Sequence, residues 1–130
     1  FSTEFMVRPF ITVEKIAQDV LEFYDTVFPD FSLLSLKHHA EPHNELVMLA
    51  TFSIGNQEFM ISDSFVSHEW NITPGISFFM DADSEEQLQS LAEKLSANGK
   101  VHMPAGNYGF STLFAWVEDQ FGINWQLNLE

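Results

Sequence analysis

The sequence contains no cysteine. Disulfides, thiolate metal sites and cysteine nucleophiles are thereby excluded, so the fold must rest on packing alone. Positive charge is also scarce, with five Lys and Arg against 19 Asp and Glu and a net charge of −14. A surface of that sign repels phosphate backbones and anionic headgroups, which disfavours nucleic-acid and membrane partners. The same charge keeps a protein in solution and need serve no further purpose. No apolar run approaches the ~20 residues that span a bilayer. No basic segment leads into a short apolar stretch either, so no secretory signal is visible. The chain opens on Phe1 rather than Met, which leaves its true N-terminus open, and a cytoplasmic location is the default expectation.

Aromatic residues, by contrast, are plentiful: 14 Phe and three Trp within a chain that is 45% apolar. That composition is wrong for a disordered acidic tail. At 130 residues the chain suits one domain that buries roughly two-thirds of its extended-chain surface.

Apolar periodicity divides the chain into short elements. The stretch 5–13 is β-rich, with Pro9 suggesting an edge position or a bulge. Ile16, Ala17, Val20, Leu21, Tyr24, Val27 and Phe28 then recur at helical spacing, with Glu14, Asp19, Glu22 and Asp25 opposite. Residues 31–39, 46–54 and 57–63 read as strands, the last two joined through a Gly55-Asn56 hairpin turn. After Pro74-Gly75, the run 76–80 reads as a strand buried on both faces. Ser84 and Gln87 have capping-box spacing ahead of a helix whose stripe is Leu88, Leu91, Ala92 and Leu95. Asn98-Gly99 forms a left-handed stop. Residues 100–103, 110–117 and 124–129 supply three more strands.

The order β-α-β-β-β thus occurs twice. The expectation is a single α+β domain spanning residues 1–130, with a first βαβββ module over 1–63, a connector over 64–73 and a second module over 74–130. Each module carries one helix and leaves one sheet face bare. Paired side by side with helices outside, they would form a curved mixed sheet with a concave cleft, the natural pocket.

Several segments carry a resemblance. They are Leu21-Glu22-Phe23-Tyr24 before Val27-Phe28-Pro29, Gly55-Asn56-Gln57-Glu58-Phe59-Met60 running into Asp63, and Pro74-Gly75-Ile76-Ser77. Met103-Pro104 ahead of Tyr108-Gly109-Phe110 follows, and then the most specific, the run from Trp116 to Leu127 containing D-x-F-G-x-x-W-Q. Together they resemble the PhnB-like branch of the vicinal oxygen chelate (glyoxalase-like) superfamily, whose members bear the label 3-demethylubiquinone methyltransferase-like. The resemblance implies paired βαβββ modules, a cleft, and a homodimer. It also implies a choice among metal-assisted isomerisation, epimerisation, ring cleavage, antibiotic modification and simple sequestration of a ligand.

Metal-using relatives draw His and Glu ligands from the first and fourth strands of each half. The matching places here are Arg8, Met60 or Ser62, Ile76 or Ser77, and Gln126, with Gln126 standing where relatives place a glutamate. None is His, Asp or Glu, so no metal ligand is assigned and no cofactor is expected, a divalent ion being the less favoured alternative. His38, His39 and His43 cluster around Glu41, but at a strand end and in a loop they read first as ordinary polar residues, as do His68 and His102. No G-x-S-x-G and no glycine-rich nucleotide turn is present. The weak catalytic candidates are His38, Asp63 and Tyr108. The residues expected to line a ligand site are Arg8, Ser62, Trp70, Phe78, Trp116 and Gln126. If Gln126 faces the cleft, alternation places Trp125 beneath a helix.

The expected function is binding of a small, partly aromatic or anionic molecule without the usual metal site. The alternative is a metal-dependent glyoxalase-type isomerase, lyase or dioxygenase with non-standard ligands. A methyltransferase is least favoured.

Overall fold

A computed structural model describes residues 6–67 and 72–130. The chain divides into two compact units, Phe1–Glu69 and Trp70–Glu130. The first holds β1 (Phe10–Val13), α1 (Ala17–Val27), β2 (Phe31–His38), β3 (Val47–Ile54) and β4 (Gln57–Asp63). The second holds β5 (Ser77–Asp81), α2 (Glu85–Ser96), β6 (Lys100–Gly106), β7 (Leu113–Glu118) and β8 (Asn124–Leu129). Each unit is a four-stranded mixed sheet of the same plan, β1-β4-β3-β2 and β5-β8-β7-β6, with its first and last strands parallel.

In the first unit α1 buries the predicted stripe of Ala17, Val20, Leu21, Tyr24 and Val27. These residues meet Ile11, Val13, Ala50, Phe52, Phe59 and Ile61, all buried. The aromatic centre is stacked rather than merely apolar. Phe52 lies 5.1 Å from Phe59 at 9° between planes, and Tyr24 stands edge-on to Phe28 at 5.6 Å.

The start of α1 has no cap of its own, since Ile16 offers no side-chain acceptor. Asp63, from the end of β4, fills that role. Its Oδ1 accepts from the Ala17 amide at 2.8 Å and its Oδ2 from the Val47 amide at 2.9 Å. A buried carboxylate, 2% exposed, thus satisfies a helix N-terminus and the first amide of β3 at once.

In the second unit Ser84 caps α2 by accepting from the Gln87 amide at 3.1 Å, as the capping spacing predicts. The Gln87 side chain in turn accepts from the Asp83 amide at 2.7 Å. Leu88, Leu91 and Leu95 pack the helix on β7 and β8, whose helix-facing residues Ala115, Val117, Trp125 and Leu127 are all buried. The β7–β8 turn is organised by Asp119. Its Oδ1 accepts from the Phe121 and Ile123 amides at 3.0 Å each, and its Oδ2 accepts from Trp125 Nε1 at 3.2 Å. Gly122 supplies the left-handed conformation that the turn requires, at φ +88°. The D-x-F-G-x-x-W signature is therefore a turn-forming device.

Three sequence expectations are corrected. First, β5 is not buried on both faces. It is the edge strand of its sheet, and Phe79 is 58% exposed. Second, β1 is shorter than predicted and begins after Pro9, so Arg8 precedes it. Third, β6 continues through Pro104, which its place at the sheet edge permits, and β7 begins only at Leu113. The left-handed stop after α2 falls where the Asn98-Gly99 pair predicts it, on Asn98 at φ 60°. Gly99 is required for a further reason: a Cβ there would collide with the Glu118 carbonyl oxygen and come within 2.8 Å of the Asp119 carbonyl carbon.

Two stability outcomes follow. Asp119→Ala leaves three buried or half-buried N–H donors without an acceptor and should cost about 3 kcal/mol or more in urea unfolding. Gly99→Ala should cost at least about 2 kcal/mol, because the atoms that must yield are backbone. A loss within about 0.5 kcal/mol in either variant would contradict this account of the turn.

Candidate functional site

Each helix covers one face of its sheet, and the chemistry available to a ligand lies on the other. In the second unit that face is laid out by the register of β5, β8 and β7. Ser77 pairs with Asn124, Phe79 with Gln126 and Asp81 with Asn128; on the far side of β8, Glu118, Trp116 and Phe114 pair with the same three residues. Side-chain bonds run across these rows. Gln126 Nε2 donates to Ser77 Oγ at 2.9 Å, Asn128 Nδ2 to Asp81 Oδ1 at 3.2 Å, and Trp116 Nε1 to Asn124 Oδ1 at 3.0 Å.

The fourth strand adds His102. β6 pairs Val101 with Val117 and Met103 with Trp116, so His102 is the extra residue of a bulge. Its ring lies 5.0 Å from the Trp116 ring, and its Nε2 is 3.1 Å from Glu118 Oε1. The same Glu118 oxygen takes Asn124 Nδ2 at 3.4 Å. At the other end of the face Phe79, Tyr108 and Phe110 surround the buried ring of Phe114, at 6.4, 6.2 and 5.0 Å. Phe110 is 63% exposed. The face is thus a polar row between two aromatic groups.

The structure brings Trp116 and Gln126 together as directly opposed residues on this face. Phe78, expected beside them, points the other way and packs against Trp125 at 5.2 Å, on the helix-covered side. Phe79 occupies the position on the open face, one residue along, because the edge strand begins at Ser77. Trp125 lies on the side opposite Gln126, beneath α2, as alternation predicts. Tyr108 donates its hydroxyl to the Pro104 carbonyl at 2.5 Å, which ties its phenol to the β6–β7 connection.

Arg8 and Ser62 belong to the first unit. The Arg8 guanidinium meets Glu58 at 3.3 Å, and the Ser62 hydroxyl donates to the Met48 carbonyl at 2.7 Å. Arg8 therefore already has an anionic partner within its own unit. Asp63 faces α1 rather than the open side of its sheet, and both its carboxylate oxygens hold backbone amides. That makes it a structural pin. His38 is exposed at the end of β2. Its neighbour His39 bonds through Nε2 to the Asp63 carbonyl at 2.8 Å, and Phe65 sits between the rings of His39 and His43, stacked on the latter at 4.1 Å. Trp70 and His68 lie outside the described residues. A separate groove of about 290 Å³ between α1 and β2 is lined by Gln18, Glu22, Asp25 and Phe31 among others.

The donor set does not fit a divalent ion at the places where the superfamily holds one. Arg8, Met60 or Ser62, Ile76 or Ser77, and Gln126 offer a guanidinium, a thioether or hydroxyl, an alkyl chain or hydroxyl, and an amide, and the Ser77 and Gln126 groups are bonded to each other. Among the described residues no group of three or more His, Asp or Glu side chains is placed to hold a metal. His102 was passed over in the sequence because neither its spacing nor its neighbours mark it. Its partner lies 16 residues away and is brought to it by the β6–β7 pairing.

Comparison with known proteins fits this geometry. A family model described as 3-demethylubiquinone-9 3-methyltransferase matches residues 6–128. A PhnB protein from Bacillus cereus, described in the same terms, is 33% identical and superposes with a TM-score of 0.89 over 95% of this chain and 98% of that one. A glyoxylase/bleomycin resistance protein/dioxygenase domain from Frankia sp. EAN1pec shares the fold, with a TM-score of 0.67 at 17% identity over 98% and 93% of the two chains. Escherichia coli YjdN is 28% identical over 80 residues, which are 62% of this chain and only 54% of YjdN. The chain belongs to the PhnB-like 3-demethylubiquinone-9 3-methyltransferase family and has the glyoxalase-like fold of the vicinal oxygen chelate superfamily.

Proposed function

We propose that the protein binds a small, flat, partly aromatic molecule on the open face of its second sheet, without a metal ion. The observation that carries this reading is the Trp116–Gln126 pair with its Ser77 and His102 neighbours. An aromatic ring and amide, hydroxyl and imidazole groups stand side by side on a rigid sheet. Such a surface offers stacking area at little cost in side-chain entropy and a few fixed polar contacts to orient a ligand.

The sequence left open whether the ligand is aromatic or anionic. Arg8 was the expected partner for an anion, and its pairing with Glu58 weakens that role. The aromatic character is the better supported part. Methyl transfer, which the family description names, would require a site for a nucleotide-type methyl donor. Among the described residues the strand-to-helix turns are Glu14-Lys15-Ile16 and Ala82-Asp83-Ser84, which contain no glycine and carry acidic residues. Neither resembles a phosphate or nucleotide cradle.

A homodimer is part of the same proposal. β2 is an edge strand of eight residues on which Leu33, Leu34 and Leu36 are all exposed. A bare apolar edge of this kind calls for a covering partner, and a second copy is the partner the family resemblance implies.

The test is calorimetric titration with menadione, a flat uncharged quinone, beside S-adenosylmethionine. Menadione should bind saturably, and Trp116→Leu should weaken it by about three- to tenfold, while S-adenosylmethionine gives no binding heat. No menadione binding, or binding indifferent to Trp116, would sink the reading. Light scattering of the purified chain should give twice the monomer mass, and Leu34→Glu should return it to the monomer mass. A wild-type monomer would remove the dimer from the proposal.

A further inference from the structure

The bulge at His102 does more than add a ring to the aromatic surface. Glu118, its partner, is the less exposed of the two, with side-chain exposures of 30% for His102 and 17% for Glu118. Glu118 is itself fixed by Asn124, which is 1% exposed and holds Trp116 through its other amide atom. An ionised carboxylate has no proton to give, so the bond to Glu118 requires Nε2 of His102 to be the donor. In the neutral ring this leaves Nδ1 as an acceptor with a free lone pair. Among the described residues Nδ1 has no hydrogen-bond partner. A base, an orienting carboxylate and an aromatic platform therefore stand together, and a substrate group is the only element missing.

We infer that His102 is a proton-accepting site and that the molecule seated on Trp116 carries an acidic hydroxyl, phenolic or enolic, directed at Nδ1. This inference rests on the proposed binding of a flat molecule at this face. In the step, the ligand O–H bond breaks, its electron pair stays on oxygen, and an N–H bond forms at Nδ1. The products are a ligand oxyanion and an imidazolium whose other N–H remains on Glu118. No oxidant, reductant or further co-reactant is needed.

Charge makes the device useful to this protein in particular. At a net charge of −14 the chain repels anions, and its own face presents Glu118 and Asp81. A local cation offsets that repulsion for an oxyanion. The charged group bonded to the imidazole is Glu118, at 3.1 Å, and Lys100 is the cross-strand partner of Glu118.

Two near-isosteric probes test the inference: menadione, with a 2-methyl group, and 2-hydroxy-1,4-naphthoquinone, with an acidic hydroxyl in its place. The hydroxyquinone should bind about tenfold more tightly than menadione near pH 6. The hydroxyquinone is already an anion in solution at about pH 8, so there Nδ1 takes its proton from solvent. Titration at that pH in buffers of differing ionisation enthalpy should show uptake of about one proton for the hydroxyquinone and none for menadione. The affinity ratio should collapse towards one in His102→Gln. Equal affinity for both probes in the wild type would overturn the inference and leave the binding reading standing, as would a ratio that survives His102→Gln. Failure of menadione to bind would remove the binding reading and this inference with it.

Discussion

Asp119 accepts from the amides of Phe121 and Ile123 and from the indole of Trp125. The strands that leave the turn it organises, β7 and β8, carry Glu118 and Trp116 on one side and Asn124 and Gln126 on the other. Were the turn to slip by one residue, the alternation of β8 would place Trp125 on the open face and Gln126 beneath α2. The whole polar row therefore depends on one carboxylate that never touches it. Gly99 completes the arrangement by letting the end of α2 approach the turn more closely than any side chain would allow. In the first unit Asp63 plays the corresponding part from a different position, at the end of β4, joining α1 to β3. The two units share strand order and solve the problem of fixing a helix against a sheet with unrelated residues.

This difference explains why the repeat was visible in element order and not in residue identity. Periodicity recorded which residues are buried, and burial is what both units have in common. Val20, Leu21, Tyr24, Leu88, Leu91 and Leu95 were all legible for that reason, as was the capping role of Ser84. Register was not legible. It separates Phe78 from Phe79 and decides which of them meets Gln126. Likewise, Asp63 looked like a candidate acid because a carboxylate at a strand end is ambiguous until its hydrogen-bond partners are known. His102 and Glu118 could not be paired from sequence, since a bulge displaces the one towards the other and leaves no trace in spacing. The motif that identified the family most sharply proved to encode a turn.

The glyoxalase-like fold supplies two helix-backed sheets and leaves their bare faces to be furnished independently. On the face of the second sheet away from α2, Ser77 and Gln126 bond to one another across the β5–β8 pair. What such a face carries is not dictated by the topology. A face that meets no helix can be rewritten at smaller cost than the helix-covered one, although Phe114, Asn124 and Asn128 on it are themselves buried.

The opposite placement of Trp116 and Trp125 has an optical consequence. Trp125 is 2% exposed, closed in by α2 and bonded to a carboxylate, so its emission should stay fixed whatever meets the protein surface. Trp116, on the other side of the same sheet, is only partly covered and lies within reach of any molecule on that face. Two indoles a few residues from one another in the ladder thus form a constant and a variable light source. While the core stays intact, a change in the ratio of their contributions reports events on the open face.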